Sequence, residues 1–175
     1  MKLSGKKLKA LAQAELVLPR PGEDAGIRLV VQAFPLGAEE EAERLFPSPV
    51  PPVKFAQGKR GKVLRDPATK EVVKVRDLED PDFRAASRLA NRRQMMFLIT
   101  EGLKADPALE WETPTADREK DAGAWADNVF AECSAAGLST GDLGMILDKI
   151  RELGNLTGQA VDDAVEDFLS EGSAV

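Results

Sequence analysis

Residues 80–104 read DPDFRAASRLANRRQMMFLITEGLK. Asp80 suits a helix N-cap, because its carboxylate accepts hydrogen bonds from free backbone N–H groups of the first turn, and Pro81 suits the first helical position. Apolar residues then recur on one side, and Met95–Ile99 is apolar all round, as in a mostly buried helix. The stretch therefore predicts a central helix over Pro81–Lys104.

The chain before residue 80 alternates between strand and helix patterns. Ile27, Leu29 and Val31 stand at every second position, which is the period of a strand with one buried face. The predicted elements are, in chain order, a short amphipathic helix through Leu3, Leu8 and Leu11, strands Glu15–Leu18 and Ile27–Phe34, an acidic helix Ala38–Phe46, and a hairpin with arms Lys62–Arg65 and Glu71–Val75 around a turn at 66–69.

A proline-rich stretch separates the acidic helix from the hairpin. Residues 47–52 read PSPVPP, which cannot continue a helix or lie in the middle of a sheet. This composition predicts an extended linker in polyproline-like geometry. We therefore expect an N-terminal β-containing region over residues 1–79, with the linker inside it, and a helical domain over residues 80–175.

The chain after residue 104 begins with an acidic connector, Ala105–Pro114, that contains Trp111. We count Trp111 as a candidate partner contact. A helix is predicted over Thr115–Ala136, and Gly137 is a suitable residue to end it because glycine adopts the left-handed conformation that often follows a helix.

Two further helices are predicted from their capping residues. Ser139 with Asp142 three positions later matches a capping box, and the helix that follows ends at Gly154. Thr157 caps another helix, so the two helices should pack as an antiparallel pair. The predicted fold class is α+β, with a small N-terminal β-containing portion followed by a mainly helical body that ends in a helical hairpin.

The residues that usually carry catalysis are scarce. The chain has no His, no Tyr and a single cysteine, Cys133, which lies on the apolar face of its helix as a core thiol would. A Ser-His-Asp triad and His-containing metal sites are therefore excluded. The acidic run that begins at Asp117 resembles a calcium loop only briefly, because Ala122 replaces its glycine and Asn128 replaces its glutamate. We predict a non-enzyme with no catalytic residues, no cofactor and no metal site.

The charge of the chain changes sign along its length. Residues 1–104 contain 20 Lys and Arg against 14 Asp and Glu, whereas residues 105–175 contain 4 against 16. Such an asymmetry concerns partners and assembly rather than fold. Nucleic acid is disfavoured as a partner, because the net charge is −6 and no aromatic residue is interleaved with the basic ones. The longest apolar run, Met95–Ile99, is too short to cross a membrane.

The central helix carries four arginines whose charges need acidic partners or solvent. Arg84, Arg88 and Arg92 recur every four residues and form one stripe. The stripe is either a solvated face partly paired with acids of this chain or a dock for an acidic partner. Arg93 falls on the apolar side, so it must pair or reach the edge of the core. Asp82 and the acidic C-terminal helices are its candidate partners.

Taken together, several segments resemble the small tail assembly chaperones of long-tailed bacteriophages. The resemblance lies in the order of elements across most of the chain, and its most specific parts are Asp80–Leu103 and Leu138–Leu169. The segments that carry it read LVVQAFPL (29–36), EEEAERLF (39–46), DPDFRAASRLANRR (80–93) and LDKIRELGNLT (147–157).

The resemblance implies a non-enzymatic protein in the cytoplasm of the infected bacterial host. Such a protein coats the tape-measure protein, recruits tail tube protein and can self-associate, and the family has no catalytic residues to transfer to this chain. We expect Arg84, Arg88, Arg92 and Trp111 to contact the partner. The alternatives are a structural virion or tail-completion component, a nucleic-acid or regulatory adaptor, and an enzyme of unrecognised type.

Overall fold

The structure, a computed structural model, describes residues 2–3, 6–7, 11–20, 23–58 and 61–154. It confirms the α+β class. The elements in chain order are β1 (Lys2–Leu3), β2 (Lys6–Lys7), β3 (Gln13–Arg20), β4 (Glu23–Gln32), α1 (Ala38–Leu45), β5 (Val53–Phe55), β6 (Lys74–Arg76), α2 (Pro81–Gly102), α3 (Asp117–Lys120), α4 (Ala122–Ala135) and α5 (Thr140–Leu153).

Helix α2 is the centre of the fold, as predicted. The Asp80 carboxylate accepts a hydrogen bond from the Phe83 backbone N–H at 2.8 Å, and Pro81 occupies the first turn. The second half of α2 is buried from Met96 to Gly102. Gly102 is needed there because a Cβ would lie 2.1 Å from Cδ1 of Ile150 on α5. The two helices therefore approach more closely than a larger residue would permit.

Strands β3 and β4 form an antiparallel hairpin that is longer than the predicted strands. Its register runs from Gln13 opposite Gln32 to Arg20 opposite Glu23. Leu18 and Val31 are fully buried in the core that α2, α4 and α5 share. The hairpin thus packs on the helical body, and the core draws on residues from both sides of position 79. The division at 79/80 stays a prediction.

Polar side chains join the hairpin and α1 to the helical body. The Asp106 carboxylate accepts a hydrogen bond from the Val30 backbone N–H at 2.8 Å, and Gln32 Nε2 donates to the Glu101 carbonyl at 2.9 Å. Gln94 Nε2 donates to the carbonyl of Phe46, just after α1, at 2.7 Å. Each bond satisfies a backbone group at the open edge of β4 or near the C-terminal end of a helix, where the element itself supplies no partner.

Two predicted helices are corrected. The N-terminal helix through Leu3 and Leu8 is wrong where the chain is described, because Leu3 pairs with Lys6 as antiparallel strand. Gly5 disfavours a helix at this point. The predicted helix Thr115–Ala136 is interrupted at Asp121, whose extended backbone separates α3 from α4. The Asp121 carboxylate accepts from the Ala124 N–H at 3.0 Å and starts a new helix instead of continuing the old one.

The predicted cap of α5 is confirmed. Ser139 and Asp142 form a reciprocal capping box, and Gly154 ends the helix. The left-handed backbone of Gly137, with φ of 79°, likewise ends α4 as expected. The last predicted helix, which Thr157 would cap, lies outside the described residues.

Candidate partner-binding surface

Residues 53–76, which we call the arm, form a small β unit between the proline-rich linker and α2. Val53 pairs with Arg76 and Phe55 with Lys74 across β5 and β6. The predicted pairing of Lys62–Arg65 with Glu71–Val75 is reduced to a single bridge between Arg65 and Val72. The end of the predicted second strand instead belongs to β6, which pairs with β5. In the described part of the chain, no other helix or strand packs extensively on β5 or β6.

The predicted turn at 66–69 is confirmed. The Asp66 carboxylate accepts hydrogen bonds from the backbone N–H groups of Ala68 at 2.8 Å and Thr69 at 2.9 Å. The hydrogen bond from Thr69, followed in effect by that from Ala68, holds the pKa of the Asp66 carboxyl below its usual range. Side-chain capping of this kind stabilises a turn without tertiary contacts. The arm can therefore keep its shape although little packs against it.

One face of the arm exposes apolar side chains. Directly opposed residues of an antiparallel pair share a face, so Val53, Phe55, Lys74 and Arg76 lie together. Val53 is 63% exposed and Phe55 is 55% exposed. Val63, Leu64 and Val75 of the arm are exposed as well, and Val75 lies on the opposite face beside Lys54. A cluster of exposed apolar side chains, unlike a single one, marks an interaction site.

The cations on this face are available for a partner. Among the described residues, Lys74 and Arg76 make no ion pair, whereas Lys54 on the other face bonds to Asp77 at 2.7 Å. An apolar surface edged by free cations fits a partner segment that is apolar and acidic. We call the surface of Val53, Phe55, Lys74 and Arg76 the arm face.

The arginine stripe of α2 is largely engaged within the chain. Arg84 pairs with Glu79, and Arg92 pairs with Asp127 at 2.9 Å while lying over the Phe130 ring. Arg88 is exposed, and the described residues offer it no ion pair. Only Arg88 therefore presents its charge fully, and partner binding by the stripe stays a prediction.

Arg93 pairs with Asp127 of α4 at 2.6 Å rather than with Asp82. The same carboxylate accepts from Arg92, so one acid joins two arginines of α2 to α4. The hydrogen bond from Arg93 is the main reason that the pKa of Asp127 lies below its usual range. Gly123 leaves room for the Arg93 guanidinium, because a Cβ at position 123 would lie only 3.0 Å from Arg93 Nη1.

Trp111 is half-buried against the core, between two cavities. One, of about 200 Å³, is also lined by Glu101, Arg118 and Trp125. Glu101 is buried and accepts hydrogen bonds from Arg118 at 2.8 Å and from Lys104 at 2.5 Å. These groups satisfy one another, so the arrangement is that of a structural ion pair. Whether Trp111 contacts a partner stays a prediction.

Cys133 lies in the core, as predicted from its position on α4. Burial, followed by the charge of Glu132, raises the pKa of its thiol to about 11. The thiolate needed for nucleophilic attack is therefore scarce at neutral pH. Among the described residues there is no group of three or more potential metal ligands, and none of their helices is long and apolar enough to span a membrane.

Comparison with protein-family models, curated proteins and solved structures found no match for this chain. The arm face consists of residues that the sequence reading did not single out. Their signal was the alternation of apolar and basic residues in Val53–Phe55 and Lys74–Arg76. On a ribbon of two strands that no described helix or strand covers, such alternation leaves apolar groups in solvent.

Proposed function

We propose that this chain is a non-enzymatic phage tail assembly chaperone that binds the tape-measure protein through the arm face. The observation that supports this best is the exposure of Val53 and Phe55 beside Lys74 and Arg76, two cations that make no ion pair with any described residue. The identity of the partner comes from the resemblance in the order of elements. We propose host cytoplasm as the place of action and tail tube protein as a second partner.

The chemistry of the arm face suits a long helical partner with apolar stretches. Such a chain aggregates when its apolar stretches stay uncovered, so it needs many copies of a small protein along its length. Val53 and Phe55 would cover apolar side chains, while Lys74 and Arg76 would set the register against acidic groups. The net negative charge of this chain comes entirely from residues after 104, away from the arm in sequence, and would keep the complex soluble.

Co-purification with tape-measure fragments tests the proposal. The double variant Val53→Ser, Phe55→Ser should bind about 10- to 100-fold more weakly, because covering the exposed half or so of the two side chains contributes roughly 1.5–3 kcal/mol in total. Leu36→Ser is the matched control, since Leu36 is an exposed apolar residue that lies outside the arm. Wild-type protein that captures no tape-measure fragment would contradict the assignment.

Charge on the arm face is tested separately. Lys74→Glu with Arg76→Glu should weaken binding more at low salt than at high salt, since exposed charges are screened by ions. Arg88→Glu examines in the same way the arginine of the stripe that has no ion pair among the described residues. If the arm variants bind like wild type and Arg88→Glu does not, the interface lies on α2. Mass spectrometry of purified virions should find this protein absent, because a structural component would be retained there.

A further inference from the structure

Every second residue of β3 turns its backbone groups away from β4. The Ala33 N–H donates to the Ala12 carbonyl at 2.8 Å, so these two residues form a hydrogen-bonded pair of the hairpin. Such pairs alternate with pairs that make no bond to each other, so the even-numbered residues of β3 bond to β4 and the odd-numbered ones face away. The bond from the Val30 N–H to Asp106 has the same phase, because Val30 lies opposite Glu15. The outward N–H and C=O groups therefore belong to Gln13, Glu15 and Val17.

The outer side of β3, which we call the β3 edge, is open in the part of the chain that the structure describes. The strand has β4 as its one neighbour there, and no described group bonds to the outward N–H or C=O groups. The opposite edge of the hairpin differs, because the Asp106 carboxylate covers the Val30 N–H. Pro19 has no N–H to donate, so the usable edge ends at Val17. Exposed backbone groups of this kind are a template for another strand.

The side chains along the β3 edge leave room for a second strand. On the helix-covered side of the hairpin, Ala14 and Leu16 are only half-buried, so the helices do not extend over the edge. On the other side, Leu11 is 39% exposed and Val17 is 46% exposed. Two exposed apolar side chains toward the two ends of one strand favour an occupant that covers both of them.

The sequence of the β3 edge complements itself. When two copies pair antiparallel about a two-fold axis, odd-numbered residues must lie opposite odd-numbered ones, because these carry the outward backbone groups. An axis at Ala14 meets this condition. It places Leu11 opposite Val17 of the second copy, Gln13 opposite Glu15, Ala12 opposite Leu16, and Ala14 opposite Ala14. Every apolar residue then faces an apolar one, and the amide of Gln13 can donate to the carboxylate of Glu15.

Neighbouring registers are disfavoured by the same residues. An axis at Glu15 places the two Glu15 carboxylates directly opposite each other, which is destabilising. An axis at Leu16 sets Val17 against Glu15, and it sets Gln13 against Pro19, which has no N–H to exchange. An axis at Gln13 sets Leu11 against Glu15. Only the axis at Ala14 matches polarity at every position from 11 to 17.

We propose that two copies of this chain pair through the β3 edge and form a four-stranded antiparallel sheet with the order β4-β3-β3-β4. A second copy fits better than a strand of unrelated sequence, because residues 11–17 match themselves along their whole length. The pairing covers Leu11 and Val17 of both copies and gives the outward backbone groups their partners. It does not depend on the proposed function, since the β3 edge shares no residue with the arm face.

Sedimentation equilibrium of the full-length protein measures the association. We expect a reversible dimer with a dissociation constant on the order of 10 µM, because a contact of one strand per copy is smaller than a standard interface. Glu15→Pro should weaken the dimer at least about 30-fold, since proline removes an outward N–H and leaves the bonds within the hairpin in place. Glu15→Ala is the matched control. It loses the same side chain but keeps the N–H, so it should weaken the dimer less than about fivefold.

Two results of this measurement would overturn the proposal. One is a wild-type protein that stays monomeric up to about 500 µM, a concentration well above the expected dissociation constant. The other is a dimer that is equally stable in Glu15→Pro and Glu15→Ala, because the interface would then lie elsewhere. Thermal unfolding of both variants checks that the hairpin remains folded. If Glu15→Pro does not fold, the cysteine variants below decide.

Disulfide formation tests the register without proline. Ala14→Cys places two thiols opposite each other across the axis, with Cβ atoms about 4.5 Å apart, a separation that a disulfide can bridge. Ala12→Cys is the matched control, because the proposed register holds its two Cβ atoms about 14 Å apart. The wild type, with buried Cys133, is the blank. Under mild oxidation we expect the Ala14→Cys dimer to form at least about 10-fold faster than the Ala12→Cys dimer. Equal rates, or a faster Ala12→Cys dimer, would overturn the proposal.

Discussion

Replacing Asp142 by Asn tests whether one ion pair fastens the β3–β4 hairpin to α5. The Asp142 carboxylate accepts hydrogen bonds from Arg20 Nη1 at 2.9 Å, from the Ser139 N–H at 2.7 Å and from the Ser139 hydroxyl at 2.8 Å. The side chain is buried, while that of Arg20 keeps 20% of its exposure. The neutral amide retains the shape of the carboxylate and removes its charge.

The magnitude follows from the protonation behaviour of Asp142. The hydrogen bond from Arg20, then those from Ser139, lower the pKa of the carboxyl to about 2 from an ordinary value of 3.8. A shift of this size corresponds to roughly 2.5 kcal/mol of preference for the charged form. Because solvent still reaches Arg20 and screens the pair, we expect Asp142→Asn to lower the free energy of unfolding by about 1–2.5 kcal/mol at pH 7.

The sign of the pH dependence is determined by the lowered pKa. A carboxyl whose pKa is depressed by folding contributes its stability above the unfolded pKa near 4 and loses it as the pH falls through the folded pKa near 2. Urea denaturation at pH 7, 5, 3 and 2 should therefore show a gap between wild type and variant that is full at pH 5–7 and closes between pH 4 and 2.

Asp148→Asn is the control, since Asp148 is exposed on the same helix. It should change the free energy of unfolding by less than about 0.5 kcal/mol. No gap between wild type and Asp142→Asn at pH 7 would refute the reasoning. A gap that persists unchanged at pH 2 would show that geometry at the helix cap, not charge, causes the loss.

The remaining predictions concern packing, reactivity and the joint between α2 and α4. Gly102→Ala should lower the free energy of unfolding by about 1–3 kcal/mol, because the added Cβ meets Ile150. Gly144→Ala should raise the free energy of unfolding by about 0.5–1 kcal/mol, because the added Cβ meets open space and alanine favours a helix. Denaturant titration measures both changes. Cys133 in the folded protein should react with iodoacetamide at pH 7 on the order of 100-fold more slowly than in urea, as measured by mass spectrometry. Asp127→Asn should lower the midpoint of thermal unfolding, and more so at low salt, since one half-exposed carboxylate joins two arginines.

Helix ends were predictable from sequence because their causes are local. Asp80 begins α2 and Ser139 begins α5 by accepting a hydrogen bond from the backbone N–H three positions later. The error at Asp121 is of the same kind. Its carboxylate also caps a helix, and the apolar positions of the predicted helix, Ala122 to Cys133, all lie after this cap. The local signal was present, and the prediction placed the start of the helix too early.

The arm and the arginine contacts illustrate what a sequence alone leaves open. Val53 and Phe55 have the composition of a buried strand, and their exposure follows from the absence of any described element packed over β5 and β6. Arg93 pairs with Asp127 of α4, which lies 34 positions further along the chain. At that sequence separation no periodic pattern identifies a partner.

The sequence by itself determined where α2 and α5 begin, the strand character of residues 27–32, the turn at 66–69 and the burial of Cys133. Each depends on interactions within a few residues or on which side of an element is apolar. Only the tertiary structure decided that Arg84 and Arg92 pair with acids of this chain, whereas the described residues offer Lys74 and Arg76 no ion pair. Charge and polarity are properties of a residue, but their availability to a partner depends on which distant neighbours the fold brings within reach.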